Sequence, residues 1–293
     1  MRNFLFLFLI LLLPASAFAE NSDIVRVSYL GPEGTYTEEA AQFWFQDGET
    51  FIAQKTVNDA IADVTAGSAE YAVIPQENTL GGAVVNYVDA LIQSENVYVV
   101  GEVVLPINQT LMGVPGTKLE DIKTVCSHTQ GLTQSKQWRQ ENLPAAAAEE
   151  MPSTAAAASY VAEQQDKSIA AVAAPGAAEL YGLEVLAENV QITDANKTRF
   201  YVLSSQSQED ESLTRAVFIA DCEGSRLDDL IITIHEAELE MVSLHDRPEG
   251  SALGRYYYVI EVEGETGISD SQINVLESIE EMRFVGRFNA VEK

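Results

Sequence analysis

The chain has 293 residues, 45 of them acidic against 17 basic, and a net charge of -28 at neutral pH. A field that negative argues against nucleic acid or an anionic membrane as partner, and any site for an anion must be built locally from neutral donors. Length and a 46% apolar content describe a folded chain of about two domains.

The first segment to read is the N-terminus. Arg2, an apolar run from Phe4 to Leu13, Pro14 and the small-x-small Ala17-Phe18-Ala19 predict a secretory signal peptide over 1–19. The mature protein would start near Glu20 and be periplasmic or secreted. An uncleaved anchor is the rival reading, but the run falls short of the ~20 apolar residues of a membrane span, so no membrane partner is expected after cleavage. From Val25 short apolar strands alternate with amphipathic or alanine-rich helices. Strands are predicted at 25–30, 71–75, 123–126 and 169–173, and helices at 37–45, 82–92, 134–140, 155–165 and 175–181. This alternation predicts an α/β fold with mostly parallel strands. The polar stretch 205–213 reads as a linker. Beyond it, strands at 214–222, 238–247, 254–262 and 282–288 with helices at 226–236 and 270–281 give the order βαββαβ, a ferredoxin-like α+β unit.

Four strand-to-helix junctions share a design. Leu30-Gly31-Pro32-Glu33-Gly34-Thr35 is a glycine-bearing turn in which Thr35 and Glu38 are spaced as a capping box. Pro75-Gln76-Glu77-Asn78-Thr79, Cys126-Ser127-His128-Thr129-Gln130 and Pro152-Ser153-Thr154 each lead towards a helix. Helix N-termini carry unpaired N–H groups and partial positive charge, which suits carboxylates. In an α/β sheet they gather at the carboxyl ends of the strands. Any one junction is explained as an ordinary cap; four together fit a site for a small polyanion. Cys126 and Cys222 are no disulfide framework and read as separate buried thiols. No Cys/His spacing suits zinc, and the three histidines are scattered, so no metal is expected.

These junctions, with Asn196-x-Thr198-Arg199-Phe200, resemble in order the motifs of prephenate dehydratases, and Asp246-Arg247-Pro248 looks like part of that family's C-terminal ACT domain. The resemblance implies a two-lobed, periplasmic-binding-protein-like catalytic domain over 25–204, with lobe one at 25–105 and 187–204 and lobe two at 106–186. An ACT domain would occupy 214–293, and the assembly would be a homodimer or tetramer. The implied reaction turns prephenate into phenylpyruvate with loss of CO2 and water and needs no cofactor. Thr198 would be catalytic beside Asn78 and Gln134, and Gly34, Thr35, Thr79, Ser127, Arg199 and Phe200 would bind substrate. Arg199 stands open between neutralising a carboxylate and bracing an acidic neighbour; Glu77 reads as structural, since it would repel a dianion. Gly224, Ser225, Arg247 and Pro248 stand at the family's phenylalanine site. Arg226 replaces an aliphatic residue there, so phenylalanine binding is expected to be weak or absent. An exported member departs from a typically cytoplasmic family. Arogenate dehydration, a non-aromatising prephenate decarboxylation and a non-catalytic periplasmic solute-binding role are the alternative readings.

Overall fold

The computed structural model describes residues 24–46, 49–279 and 282–293, so the expected signal peptide lies outside the described residues. The first part of the chain forms β1 (Arg26–Leu30), α1 (Tyr36–Phe45), β2 (Thr50–Gln54), α2 (Val57–Ala66), β3 (Tyr71–Asn78), the short β4 (Gly82–Ala83), α3 (Val85–Gln93) and β5 (Tyr98–Pro106). The middle forms β6 (Thr110–Gly113), β7 (Thr124–Ser127), α4 (Thr129–Gln134), α5 (Lys136–Asn142), β8 (Ala147–Glu150), α6 (Thr154–Gln164), β9 (Ile169–Ala173), α7 (Gly176–Leu180) and β10 (Glu184–Ala187). The last part forms β11 (Lys197–Ser204), β12 (Arg215–Glu223), α8 (Leu227–Glu236), β13 (Glu240–Pro248), β14 (Arg255–Glu263), α9 (Asp270–Glu277), β15 (Met282–Phe288) and β16 (Ala290–Glu292).

Among the described residues the strands make three sheets. Their orders are β16-β5-β11-β3-β1-β2, with β4 beside β3; β10-β6-β9-β7-β8; and β13-β14-β12-β15. Parallel pairing joins β1 to β2 and β3, β7 to β8 and β9, and β16 to β5. The expectation of mostly parallel strands stops there. β11 runs antiparallel to β3 and β5, and β6 runs antiparallel to β9 and β10. The chain crosses between the first two sheets at 107–109 and returns at 188–196. The two crossovers are bonded to each other, Ile107 N–H to Asn196 O at 2.9 Å and Val190 N–H to Gln109 O at 2.9 Å.

Helix starts follow the local chemistry of their caps. Thr35 Oγ1 accepts from Glu38 N–H at 3.4 Å, while the Glu38 carboxylate reaches Gly34 N–H at 2.5 Å, one residue before a regular capping box. Ser153 Oγ accepts from Ala156 N–H at 2.9 Å and starts α6. Gly34 has φ +80°, a conformation that glycine adopts without steric cost.

The third sheet is antiparallel throughout and its elements run strand, helix, strand, strand, helix, strand. One face buries Phe218, Ile260, Leu230, Ile234 and Leu276 with α8 and α9. The other face contributes Val217, Ile219, Val259 and Val285 to a core that also holds Tyr87 and Leu91 of α3 and Tyr201 of β11. Arg283 caps the C-terminus of α3, donating to the carbonyls of Leu91, Ile92 and Ser94 at 3.1–3.2 Å. The segment 205–213 is mostly exposed between two anchors: Leu213 is buried, and Gln208 donates to Val100 O and accepts from Arg287.

Candidate active site

A cleft of about 210 Å³ opens between the first two sheets. Leu30, Thr35, Asn78 and Thr198 form one wall; His128, Gln130, Gln134, Ser153 and Thr154 form the other; Gln109 contributes from the first crossover. The starts of α1 and α6 both face it. No Lys, Arg, Asp or Glu is among its lining residues, so its polarity comes from amides, hydroxyls, one imidazole and helix ends. The lining is neutral and polar in a very acidic chain. The Tyr36 hydroxyl donates to Asn108 O at 2.7 Å and ties α1 to the crossover; burial pushes that phenol well above its usual range.

Thr198 and Asn78 are register partners on β11 and β3, and both are nearly buried. Asn78 Nδ2 donates to Thr198 Oγ1 at 2.9 Å and to Asn196 Oδ1 at 2.9 Å. Its amide cannot be turned over, because Asn78 Oδ1 accepts from the N–H groups of Leu80 and Gly81, each at 3.0 Å. The direction of the bond to threonine is therefore fixed: Thr198 accepts from Asn78 and keeps its own hydroxyl proton for a ligand. Gln134 Oε1 accepts from Gln109 Nε2 at 2.8 Å, which turns the donor end of Gln134 elsewhere.

Several expected ligands are placed differently. The Ser127 hydroxyl is fully buried and donates to Val172 O at 2.6 Å; it packs under Gly131, where a Cβ would lie 2.3 Å from its oxygen. Ser127 therefore supports the α4 junction from behind instead of lining the cleft. Thr79 Oγ1 is exchanged with the Lys197 main chain at 3.1 Å in both directions, clasping β3 to β11. Phe200 is 1% exposed in the core between α1 and the first sheet. Gly34 lines an adjoining cavity with Glu38, Pro175 and Lys293, and Thr35 borders both spaces.

Arg199 is the clearest correction. Successive strand residues face opposite sides, so Thr198 meets the cleft while Arg199 meets carboxylates behind the sheet. Its guanidinium reaches Glu261 on β14 at 2.5 Å, Glu102 on β5 and, at 3.3 Å, Glu77 on β3. Glu261, 1% exposed, also accepts from Arg215 at 2.6 Å and from Tyr201 at 2.7 Å. Burial and the neighbouring Glu261 charge push the Glu102 carboxyl up to about 7, against the opposing pull of Arg199. Arg199 braces acidic neighbours, and Glu77 is structural as expected.

On the third sheet, Gly224 N–H donates to Gly254 O at 2.8 Å, the Ser225 hydroxyl turns to Glu223, and Pro248 is paired opposite Tyr256. Arg247 forms a two-pronged bond to Asp89 of α3, at 2.5 and 3.1 Å. Arg226 is half exposed and bonded to Asp229 at 3.0 Å, along its own helix.

Gln109 and Asn196 were not singled out from sequence as site residues. Both are amides on irregular crossovers; Asn196 stands in the Asn196-x-Thr198 motif, which marks it without giving it a role, and no spacing rule marks Gln109.

A family model described as prephenate dehydratase matches residues 27–208. The prephenate dehydratase of Lactococcus lactis subsp. cremoris is 31% identical over 268 residues, covering 89% of this chain and 94% of its own. The solved prephenate dehydratase of Arthrobacter aurescens, in complex with L-Phe, superposes with a TM-score of 0.81 at 29% identity, covering 90% of each chain. A structure described as a novel type of quorum quenching acylase superposes with a TM-score of 0.78 at 26% identity, covering 91% of this chain and 98% of its own.

Proposed function

Since the chain belongs to the prephenate dehydratase family and is a lyase that converts prephenate to phenylpyruvate, we propose that Thr198, held by Asn78, assists the departing ring hydroxyl. In this reaction the bond from the ring to its carboxylate breaks and CO2 leaves. The freed electron pair moves through the ring, the ring C–O bond breaks, and the oxygen departs with a proton as water. Aromatisation supplies the driving force, so the protein has to position and stabilise rather than supply a reactive group.

The observation that carries this reading is the direction of the Asn78-to-Thr198 bond. A threonine hydroxyl is a poor acid on its own, but one whose oxygen already accepts a bond from Asn78 presents its proton outward to a leaving oxygen. Gln134 offers its amide N–H groups, and the starts of α1 and α6, through Thr35 and Ser153, suit the two carboxylates. Amide hydrolysis, the activity class of the acylase neighbour, is less well served. A nucleophilic Thr198 would need a base beside it, and its partner is an amide N–H, which takes no proton.

The wider organisation follows the same reading. Residues 25–204 form the catalytic domain in two lobes, and 214–293 form an ACT domain of ferredoxin-like order. The bound L-Phe of the Arthrobacter relative and the outward path of Arg226 support phenylalanine binding here. Export by a cleaved signal peptide and assembly through the ACT domain complete the proposal; exposed Met241 and Val242 on β13 support the latter.

The test is Thr198→Val, which keeps shape and deletes the hydroxyl. Turnover of prephenate should fall by ~10²–10³ with an unchanged melting temperature, as for loss of one transition-state donor. Near-normal turnover would remove Thr198 from the mechanism. Running the same assay with arogenate, products identified, separates the two substrates.

A further inference from the structure

We propose that Gln109 reads the ring hydroxyl of the substrate by accepting a hydrogen bond from it; this rests on the prephenate reading above. Gln109 sits on the first crossover, 2% exposed, and lines the cleft. Its main chain is held on both sides, N–H to Gln191 Oε1 at 2.8 Å and C=O from Val190 N–H at 2.9 Å. Its Nε2 is committed to Gln134 Oε1 at 2.8 Å, yet its Oε1 is buried with no partner. A buried acceptor left without a donor costs about as much as a lost hydrogen bond, and native proteins keep few of them.

The chemistry of the substrate says what that oxygen meets. Its two carboxylates and its keto oxygen only accept, and the cleft answers them with Gln134 and helix ends. The ring hydroxyl is the substrate's one donor. Two other acceptors in the cleft are already filled: Asn78 Oδ1 by two backbone N–H groups, and His128 Nδ1 by Gln130 N–H at 3.3 Å. Gln109 Oε1 is buried and has no partner. With the hydroxyl hydrogen directed to Gln109, the hydroxyl oxygen turns a lone pair to the Thr198 proton. Gln109 thus fixes the rotamer of the leaving group and takes up no proton itself.

The experiment uses the full chain and two competitive inhibitors with saturated rings that cannot aromatise, one carrying the ring hydroxyl and one lacking it. Wild type should bind the hydroxylated compound at least about tenfold more tightly, the ordinary effect of pairing a buried acceptor. In Gln109→Leu that preference should vanish, whatever the variant does to overall affinity through Gln134. Gln109→Met, unbranched and of similar length, serves if the leucine variant folds poorly. Equal weakening of both inhibitors, with the preference kept, would overturn the assignment and leave Gln109 as a prop for Gln134. Failure of wild type to turn over prephenate would instead sink the underlying reading, and this inference with it.

Discussion

Glu261→Gln tests how the third sheet is fastened to β11. The substitution keeps shape and removes a charge that Arg199 and Arg215 share and that accepts from Tyr201. Breaking a buried ion pair by removing one partner costs ~3–5 kcal/mol. Here Arg199 keeps Glu102 and Glu77, and Arg215 keeps Glu263 at 3.3 Å, so a loss near the lower end, about 3 kcal/mol, is expected. The loss should also depend on pH. Glu102 has its folded value raised from 4.5 to about 7, so the native state binds a proton that the unfolded chain has released. Its contribution is fully present below about pH 4.5 and is lost as pH rises through about 7. Glu261→Gln removes a neighbour that raises that value, so the variant should lose less stability than wild type over this window. Urea unfolding at pH 5 and pH 8 should show a wider gap between the two proteins at pH 5, by on the order of 1–3 kcal/mol. An equal gap at both pH values would refute the coupling between Glu102 and Glu261; no gap at either would refute the clamp.

Gly286→Ala should be among the most damaging small changes in the chain. Its φ is +143°, and an added Cβ would lie 2.2 Å from Val99 O, so thermal unfolding should shift by several degrees or the protein fail to accumulate. Mass spectrometry of protein from its native host should find Glu20 at the N-terminus; an intact Met1 or Arg2 would contradict cleavage. Calorimetric titration with phenylalanine should give saturable binding, weakened in a Gly224→Leu variant whose side chain would crowd Tyr256 and Tyr258. No heat at millimolar phenylalanine would restore the expectation drawn from Arg226.

The elements closest to their expected bounds are those with local signals. Ser153 caps α6, and Ile169–Ala173 is an unbroken apolar strand. β5 went unmarked, although Tyr98–Pro106 is mostly apolar. Gly101 and Glu102 interrupt its period, and both are explained only by distant partners. A Cβ at Gly101 would sit 2.3 Å from the Trp44 ring, and Glu102 is buried because Arg199 meets it. Pairing direction was likewise illegible, since antiparallel β11 is defined by neighbours that lie more than 90 residues away in sequence. At the site, the Asn78 and Thr198 motifs were readable, but which face Arg199 took was not. That follows from register, which strand alternation turns into function only once the pairing is known.

β16 pairs in parallel with β5, Glu292 meets Lys197 beside Thr198, and Lys293 reaches Glu39 of α1 at 2.8 Å. An emerging polypeptide makes this strand after every other strand of the first sheet. Until it docks, β5 presents an unpaired row of backbone groups, the kind of edge that recruits other chains. A fragment cut after the matched family region, residues 27–208, would expose that edge permanently. The matched region is therefore a poor unit for expression by itself, and its assembly has to wait for the far end of the chain to come home.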